Sequence, residues 1–554
     1  MRATTERLAR DVFGWEGLLP GQAEAVDAVA GGRDTLIVFP TGSGKSAVYQ
    51  LAGLRRGGVT VVVSPLLALQ RDQIASIDEA PDAPAAVAIS SGVSARGTRR
   101  AWAAVESGEP VYVFLAPEQF ANPEVLDRLA AADVRLFVVD EAHCVSSWGH
   151  DFRPDYLRLS EAIDALRRPP VLALTATAST PVREEIVARL GLRDPLVEVR
   201  GIDRPEIHLA VQRHEDDARK RRGVLETALG EEGATLVYVA TRRDTERYAA
   251  ELTDGGRPAV AYHGAMPRAE RARVHDGWRA GRTPLVVATS AFGMGVDRAD
   301  VRLVVHAAVP DSLDAYVQEI GRAGRDRAPA RAVLHYRPED LGLRRFFAAG
   351  TLDDDDVERV WAALRAAAGP VRVRRLGEEA GVSPRAAARI LNALVDAGHV
   401  RSDARGHRPV GDAPAAAVAA AARESEEAQG RIRSSRIDVM RRYAEATGCR
   451  RGELLAYFGI ELDAPCGACD RCEEAAADPA REPVVRGAAA SPTGRPVDVD
   501  EPVTHREWGA GVVTAVEEDR MTIFFADRGY KVIALTAIED GVVARGAGAE
   551  ARTA

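Results

Sequence analysis

Lysine is almost missing from this chain. Of the 73 basic residues among 554, only Lys45, Lys220 and Lys531 are lysines; the other 70 are arginines. A position that keeps lysine against such a bias needs a compact ammonium, which a planar guanidinium does not replace. Net positive charge is lacking as well. The formal charge is −9, which excludes a global attraction to nucleic acid and leaves such binding to local basic surfaces. Cysteine is scarce at five residues. Four of them, Cys449, Cys466, Cys469 and Cys472, lie close in sequence, which suits a reducing compartment and a metal site better than disulfides. No apolar run reaches membrane-spanning length and Met1–Arg10 has no signal-peptide core, so a cytoplasmic protein is expected.

Lys45 stands in Phe39-Pro40-Thr41-Gly42-Ser43-Gly44-Lys45-Ser46. The apolar run Asp34–Val38 before it reads as a buried parallel strand, and Ala47–Leu51 continues as a helix. Such a turn points backbone N–H groups at phosphate oxygens, with Lys45 reaching the β- and γ-phosphates and the Ser46 hydroxyl holding Mg²⁺. Phe39 stands where the strict pattern has glycine. The plain alternative is a Gly-rich strand-to-helix turn without a ligand.

At this length about three to five domains are expected. Residues 1–200 alternate strands (Thr35–Phe39, Thr60–Ser64, Val111–Leu115, Leu136–Asp140, Val171–Thr175) with helical stretches, implying a parallel sheet covered on both faces. Residues 201–345 repeat the theme with Thr235–Val239, Ala259–Tyr262, Leu285–Ala288, Leu303–His306 and Arg331–Tyr336. The fold class is thus α/β with two lobes, followed by smaller modules. Residues 355–411 read as a winged-helix-like domain: helices Val357–Ala368, Leu376–Ala380 and Arg385–Ala397, then a ribbon Val400–Val410. Asp353–Asp356 reads as a helix cap. Residues 412–472 form a helical zinc-binding module, 473–500 a flexible linker, and 501–545 a small SH3- or Tudor-like barrel expected to move independently of the rest.

Asp140 and Glu141 end a strand. At the carboxyl end of a parallel strand beside a phosphate loop, Asp140 can hold Mg²⁺ and Glu141 can polarise the attacking water; an acidic surface turn is the alternative. Gln318-Glu319-Ile320-Gly321-Arg322-Ala323-Gly324-Arg325 places two arginines three apart, able to reach a transferring phosphoryl group across a cleft, or simply to lie on the surface. Cys449-x16-Cys466-x2-Cys469-x2-Cys472 suits tetrahedral Zn²⁺, with an iron–sulfur cluster as the minor alternative.

Together these segments resemble the RecQ family of superfamily 2 helicases. The resemblance runs over residues 10–340 through Phe13-Gly14 with Gly21-Gln22, Ser64-Pro65-Leu66, Asp72-Gln73, Ala116-Pro117-Glu118 and Asp140-Glu141-Ala142-His143-Cys144. It continues through Trp148-Gly149-His150-Asp151-Phe152-Arg153-Pro154, Thr175-Ala176-Thr177, Tyr262-His263-Gly264, Phe292-Gly293-Met294-Gly295-Val296-Asp297 and the Arg322/Arg325 segment. It implies two RecA-like lobes and an ATP-dependent 3′-to-5′ DNA helicase of DNA repair or recombination. It implies a hydrolytic set of Lys45, Asp140, Glu141, His143, Gln318, Arg322 and Arg325. Nucleotide would meet Gln22, Thr41, Gly42, Ser43, Gly44, Lys45, Ser46, Gly295 and Asp297. DNA would meet Trp148, His150, Phe152, Arg153, Thr175 and Thr177; aromatic faces stack on any base. Leu19 and Ser147 depart from the polar or basic residues usual in the family.

The implied cofactors are ATP, Mg²⁺ and Zn²⁺. The implied partners are tailed or branched DNA and, through the terminal barrel, RNA polymerase or a repair factor; a monomer is expected. In typical members the zinc module precedes the winged helix, and here the order is reversed. A translocase that does not unwind, and a non-enzymatic scaffold, are the competing readings.

Overall fold

The computed structural model describes residues 2–545 except 41, 66, 81, 91–92, 147–153, 294–297, 342–351, 404–405, 478–496, 498–500, 517–519 and 526–527. The first lobe is a seven-stranded sheet: β1 (Thr35–Val38), β2 (Val59–Val63), β3 (Ala85–Ile89), β4 (Val111–Leu115), β5 (Val134–Val139), β6 (Val171–Thr175) and β7 (Leu196–Val199). Its order is β3-β4-β2-β5-β6-β1-β7, and every described pairing is parallel. β1, β2, β4 and β6 are buried along their whole length, which is why they are continuous apolar runs with helices on both faces. The carboxyl ends of β1, β5 and β6 come together, so Val38, Val139 and Thr175 all feed one edge of the sheet.

The second lobe repeats the plan with six parallel strands: β8 (Ile207–Arg213), β9 (Ala234–Tyr238), β10 (Ala259–Tyr262), β11 (Leu285–Ala288), β12 (Val301–His306) and β13 (Ala330–Tyr336), in the order β10-β11-β9-β12-β13-β8. Residues 200–206 join the lobes.

Helix Asp354–Ala366 follows, capped by the Asp353 carboxylate, which accepts from Asp356 N. Helices Val373–Ala380 and Pro384–Asp396 come next. The turn between them combines a left-handed Gly381, the Ser383 N-cap and Pro384 at the first helical position. An antiparallel ribbon, β14 (Val400–Asp403) and β15 (Gly406–Pro409), completes a winged-helix-like unit with its own core around Trp361, Leu376 and Leu391. The 31-residue helix Ala415–Glu445, about 46 Å long at 1.5 Å per residue, packs Val418 and Ala422 into that core and Ile437, Met440 and Tyr443 into the core shared by the lobes. Cys449 caps helix Arg450–Tyr457, Cys472 lies in helix Asp470–Ala477, and Cys466 and Cys469 lie in the segment between them. Residues 473–477, expected as linker, are therefore helical.

A curled five-stranded antiparallel sheet ends the described chain: β16 (Pro502–His505), β17 (Gly509–Val516), β18 (Arg520–Phe525), β19 (Gly529–Ala534) and β20 (Val543–Arg545), ordered β19-β18-β17-β16-β20. The expectation that it moves independently is corrected. Phe524 and Tyr530 are buried in the core of the lobes, and Arg442 of the long helix donates to Thr522 Oγ1 at 2.6 Å. Its apolar residues leave the sheet on two sides, one filling its own core around Ile523 and Phe525 and the other facing the body.

Candidate active site between the lobes and a candidate zinc centre

The turn after β1 is built around its glycines and Gln22. Gly44 has φ +69°, and a Cβ there would stand 2.7 Å from Gln22 Nε2. Gln22 Nε2 donates to the carbonyls of Ser43 (3.0 Å) and Gly44 (2.9 Å), while its Oε1 accepts from Leu19 N at 2.8 Å. One amide thus braces the loop and fixes the segment before it. Lys45 Nζ donates to the carbonyls of Phe39 (2.9 Å) and Pro40 (3.2 Å). Burial holds the Lys45 ammonium below its ordinary pKa, against the opposing pull of Glu141 and Asp140.

Asp140 and Glu141 follow β5. Burial and then the Glu141 charge push Asp140 up to about 7, with Lys45 opposing. Glu141 N donates to Asp140 Oδ1 at 3.0 Å, Tyr156 OH donates to the Asp140 carbonyl at 3.0 Å, and Tyr49 OH donates at 3.0 Å to Gln73, which itself bonds Asp140. Glu141 adopts φ +50°, a left-handed conformation rare for a side chain of this size. From Glu141 a polar chain crosses to β6. Glu141 Oε2 lies 3.3 Å from His143 Nδ1, His143 Nδ1 lies 3.0 Å from Thr175 Oγ1, and Thr175 Oγ1 donates to the Thr177 carbonyl at 2.9 Å. Thr175 and Thr177, expected to touch DNA, are 0% and 2% exposed. In the interior Thr175 joins His143.

The second lobe closes the cleft. Gln318, on the helix Leu313–Ile320, and Arg322 and Arg325 just beyond it line one cavity of about 380 Å³ together with Lys45, Ser46, Gln73, Asp140 and Glu141. Arg325 Cδ is 3.4 Å from where Gly42 would carry a Cβ, so the guanidinium arm lies across the phosphate loop. Arg322 is only 4% exposed and approaches Gly293. A larger cavity of about 630 Å³ shares Gly42 and Arg325 with the first and is walled by Leu19, Phe39, Arg200 and Arg204. An ion pair, Arg279 to Asp72 at 3.1 Å, spans the lobes at the rim. Tyr49 and Tyr156, which orient Asp140 and Gln73, escaped the sequence reading because a core tyrosine has no motif. Thr41, Trp148, His150, Phe152, Arg153, Gly295 and Asp297 lie outside the described residues.

The four cysteines converge. The Sγ atoms of Cys449, Cys466, Cys469 and Cys472 all lie within 4.8 Å of one another, and Cys466 and Cys472 are 3.9 Å apart. A tetrahedron with Zn–S bonds of about 2.3 Å has S–S edges of about 3.8 Å, so this donor set fits zinc. Backbone N–H groups of Cys466 and Ala468 donate to Cys449 and Cys466 Sγ, each at 3.4 Å, as thiolate ligands require. The module is bolted to the second lobe. Buried Arg450 pairs with Asp470, Asp470 accepts from Val211 N at 3.0 Å, and Arg451 pairs with Asp203 at 2.7 Å.

Four families match along the chain: DEAD/DEAH box helicase over residues 19–186, helicase conserved C-terminal domain over 220–327, RecQ zinc-binding over 411–473, and a protein family of unknown function over 499–540. The chain is 36% identical over 333 residues to a probable ATP-dependent DNA helicase RecS of Bacillus subtilis, covering 60% of this chain and 66% of that relative. It is 29% identical over 473 residues to the ATP-dependent DNA helicase RecQ of Pasteurella multocida, covering 85% of this chain and 62% of the relative. The chain thus spans less than two thirds of these relatives' own length. Among solved structures, the DUF1998 helicase MrfA bound to DNA has a TM-score of 0.51 at 18% identity, covering 74% of this chain and 63% of that one, a likeness of fold. With helicase lobes, the RecQ zinc-binding segment and RecS and RecQ relatives on one chain, the protein belongs to the RecQ family of helicases.

Proposed function

We propose that the protein is an ATP-dependent DNA helicase that moves 3′ to 5′ on tailed or branched DNA and serves repair or recombination. The observation that carries this reading is the meeting of Lys45, Asp140 and Glu141 from one lobe with Gln318, Arg322 and Arg325 from the other around a single cavity. Hydrolysis in such a site needs both lobes, so each turnover couples to their opening and closing.

The backbone of Thr41–Gly44 cradles the phosphates, Lys45 binds the β- and γ-phosphates, and Gln22 recognises adenine. Asp140 and Ser46 hold Mg²⁺. The fit is physical, because the buried Asp140 carboxylate, whose proton affinity burial and the neighbouring Glu141 charge raise, is relieved by a cation. Bound there, Mg²⁺ would supply charge neutralisation for the phosphates. Glu141 orients the attacking water, and His143 couples it to Thr175 and Thr177. Arg322 and Arg325 stabilise negative charge on the transferring phosphoryl group with Gln318 beside them, and Gly295 and Asp297 serve nucleotide binding.

Trp148, His150, Phe152 and Arg153 contact single-stranded DNA. Their segment leads to Tyr156, whose hydroxyl touches the Asp140 carbonyl, so DNA occupancy is felt one hydrogen bond from the metal carboxylate. Cys449, Cys466, Cys469 and Cys472 hold Zn²⁺, kept as thiolates in a reducing cytoplasm. The small sheet is the seat for a protein partner.

Strand displacement with ATP on 3′-tailed, 5′-tailed and blunt duplexes tests the reading. Unwinding confined to the 3′-tailed substrate is expected. DNA-stimulated hydrolysis without displacement would identify a translocase instead, and DNA binding without hydrolysis a scaffold.

A further inference from the structure

Helix Leu313–Ile320 ends two residues before Arg322, and its last carbonyls accept from the turn that follows: Gly321 N donates to Val317 O at 2.9 Å and Ala323 N to Ile320 O at 3.0 Å. The carbonyls of that turn are taken up from the interlobe segment. Arg204 Nη1 donates to the Gly321 carbonyl (3.1 Å), and Nη2 donates to those of Ala323 (2.8 Å) and Gly324 (2.9 Å). One guanidinium therefore grips three carbonyls of the turn that carries Arg322 and Arg325. A cation here also lies at the negative end of the helix dipole.

The grip is itself fixed. Arg204 Nε pairs with Glu206 Oε1, and Ala330 N donates to the Glu206 carbonyl at 2.9 Å. Gly324 takes φ +60°, and a Cβ there would meet Ala328 O at 3.0 Å and Glu206 Cγ at 3.2 Å, so the turn closes tightly on the pair. Four residues before Arg204, Arg200 N donates to the Val38 carbonyl at 3.1 Å, where β1 enters the phosphate loop. Gly201 packs against Pro40 of the same loop, since a Cβ on it would stand 3.1 Å from Pro40 Cδ. The interlobe segment thus starts fastened beside the phosphate loop and ends fastened to the arginine turn.

We propose that Arg204 is a positioning residue for ATP hydrolysis: it sets the distance between the phosphate loop and Arg322/Arg325 by gripping the Gly321–Gly324 carbonyls. In this role Arg204 acts through that turn. The inference rests on the ATPase reading above. Lysine keeps the charge but has no planar fork to span three carbonyls.

DNA-stimulated ATP hydrolysis by the full-length protein tests it. Arg204→Ala lowers kcat about tenfold with KM for ATP within about twofold, since binding by the phosphate loop is untouched. Arg204→Lys falls in the same direction, and it carries the test should the alanine variant fail to fold as judged by zinc content and thermal melting. In an Arg325→Lys background the Arg204 change adds little further loss, because both act through one group. Losses that multiply in the double variant, or a lowered melting temperature with normal kcat, would overturn the proposal and leave Arg204 a structural cap. Absence of any ATP hydrolysis by the unaltered protein would instead overturn the ATPase reading, and this inference with it.

Discussion

The Tyr530 hydroxyl, in the closing small sheet, lies 3.3 Å from Ser179 Oγ in the first lobe, 351 positions earlier in the chain. Its ring packs 5.9 Å from that of Tyr457 beside the zinc module, and the Tyr457 hydroxyl donates at 2.5 Å to Asp314 Oδ2 in the second lobe. Both lobes, the zinc module and the small sheet thus meet along one buried polar chain. The small sheet is therefore expected to stabilise the body. Tyr530→Ala should cost about 3 kcal/mol for the lost ring, and Tyr530→Phe about 1 kcal/mol for the hydroxyl. Denaturant unfolding of the full chain measures both. A separate early transition for the small sheet, unmoved by Tyr530→Ala, would contradict the docking.

Lys45 sits in the phosphate loop and is not among the residues expected to touch DNA. Lys45→Ala is expected to lower ATP turnover by about a hundredfold or more and to leave affinity for single-stranded DNA nearly unchanged. Glu141→Gln should behave differently, because the amide keeps the shape of the site but cannot polarise water, so nucleotide stays bound and unhydrolysed. Filter binding with labelled ATP separates the two. Loss of nucleotide binding in Glu141→Gln would move Glu141 from the water to the metal.

The cysteine cluster makes a stability prediction. Thiolates gathered this closely repel one another without a cation, so metal binding adds to the folding free energy of the module. One Zn²⁺ per chain is expected by elemental analysis. Cys469→Ser should lose it and, because Arg450, Arg451 and Asp470 tie the module to the second lobe, should lower the melting temperature of the whole protein. A metal-free preparation with unchanged melting would remove zinc from the account.

What the sequence made legible follows from burial. Strands such as β1 and β4, covered on both faces, are unbroken apolar runs and were read directly. The three that went unread, β3, β7 and β8, are sheet edges with partly exposed residues, and their patterns are too mixed to stand out. Lys45, Asp140, Glu141 and the cysteines were legible because their chemistry dictates residue type and spacing. Arg204 and Tyr530 were not. Their partners are carbonyls and a hydroxyl more than a hundred positions away, and in so Arg-rich a chain one more arginine carries no signal. The small sheet misled for a related reason: a stretch without periodicity before it says nothing about whether the sheet docks.

A histidine pair in the second lobe predicts acid sensitivity. His335, at the end of β13, stacks on His214 with ring centroids 5.1 Å apart, and its Nδ1 lies 2.9 Å from His214 Nε2. Burial first, then the His214 and Lys220 charges, push His335 down to about 3, and burial lowers His214 as well. Lys220 is itself held by Asp340 at 2.6 Å, and Asp216, Arg337 and His306 are the other charges acting on the pair. An unfolded histidine titrates near 6.5. Below that pH the unfolded chain binds a proton that folded His335 refuses. The contribution to stability is therefore whole above about pH 6.5 and is lost as pH falls toward 3, at about 1.4 kcal/mol per pH unit for one such group. Urea unfolding between about pH 7 and about pH 5 should show this slope in the unaltered protein and a shallower one in His335→Gln, which keeps a neutral hydrogen-bonding side chain without a titrating proton. Equal slopes in the two proteins would mean that the pair accepts its proton in the folded state.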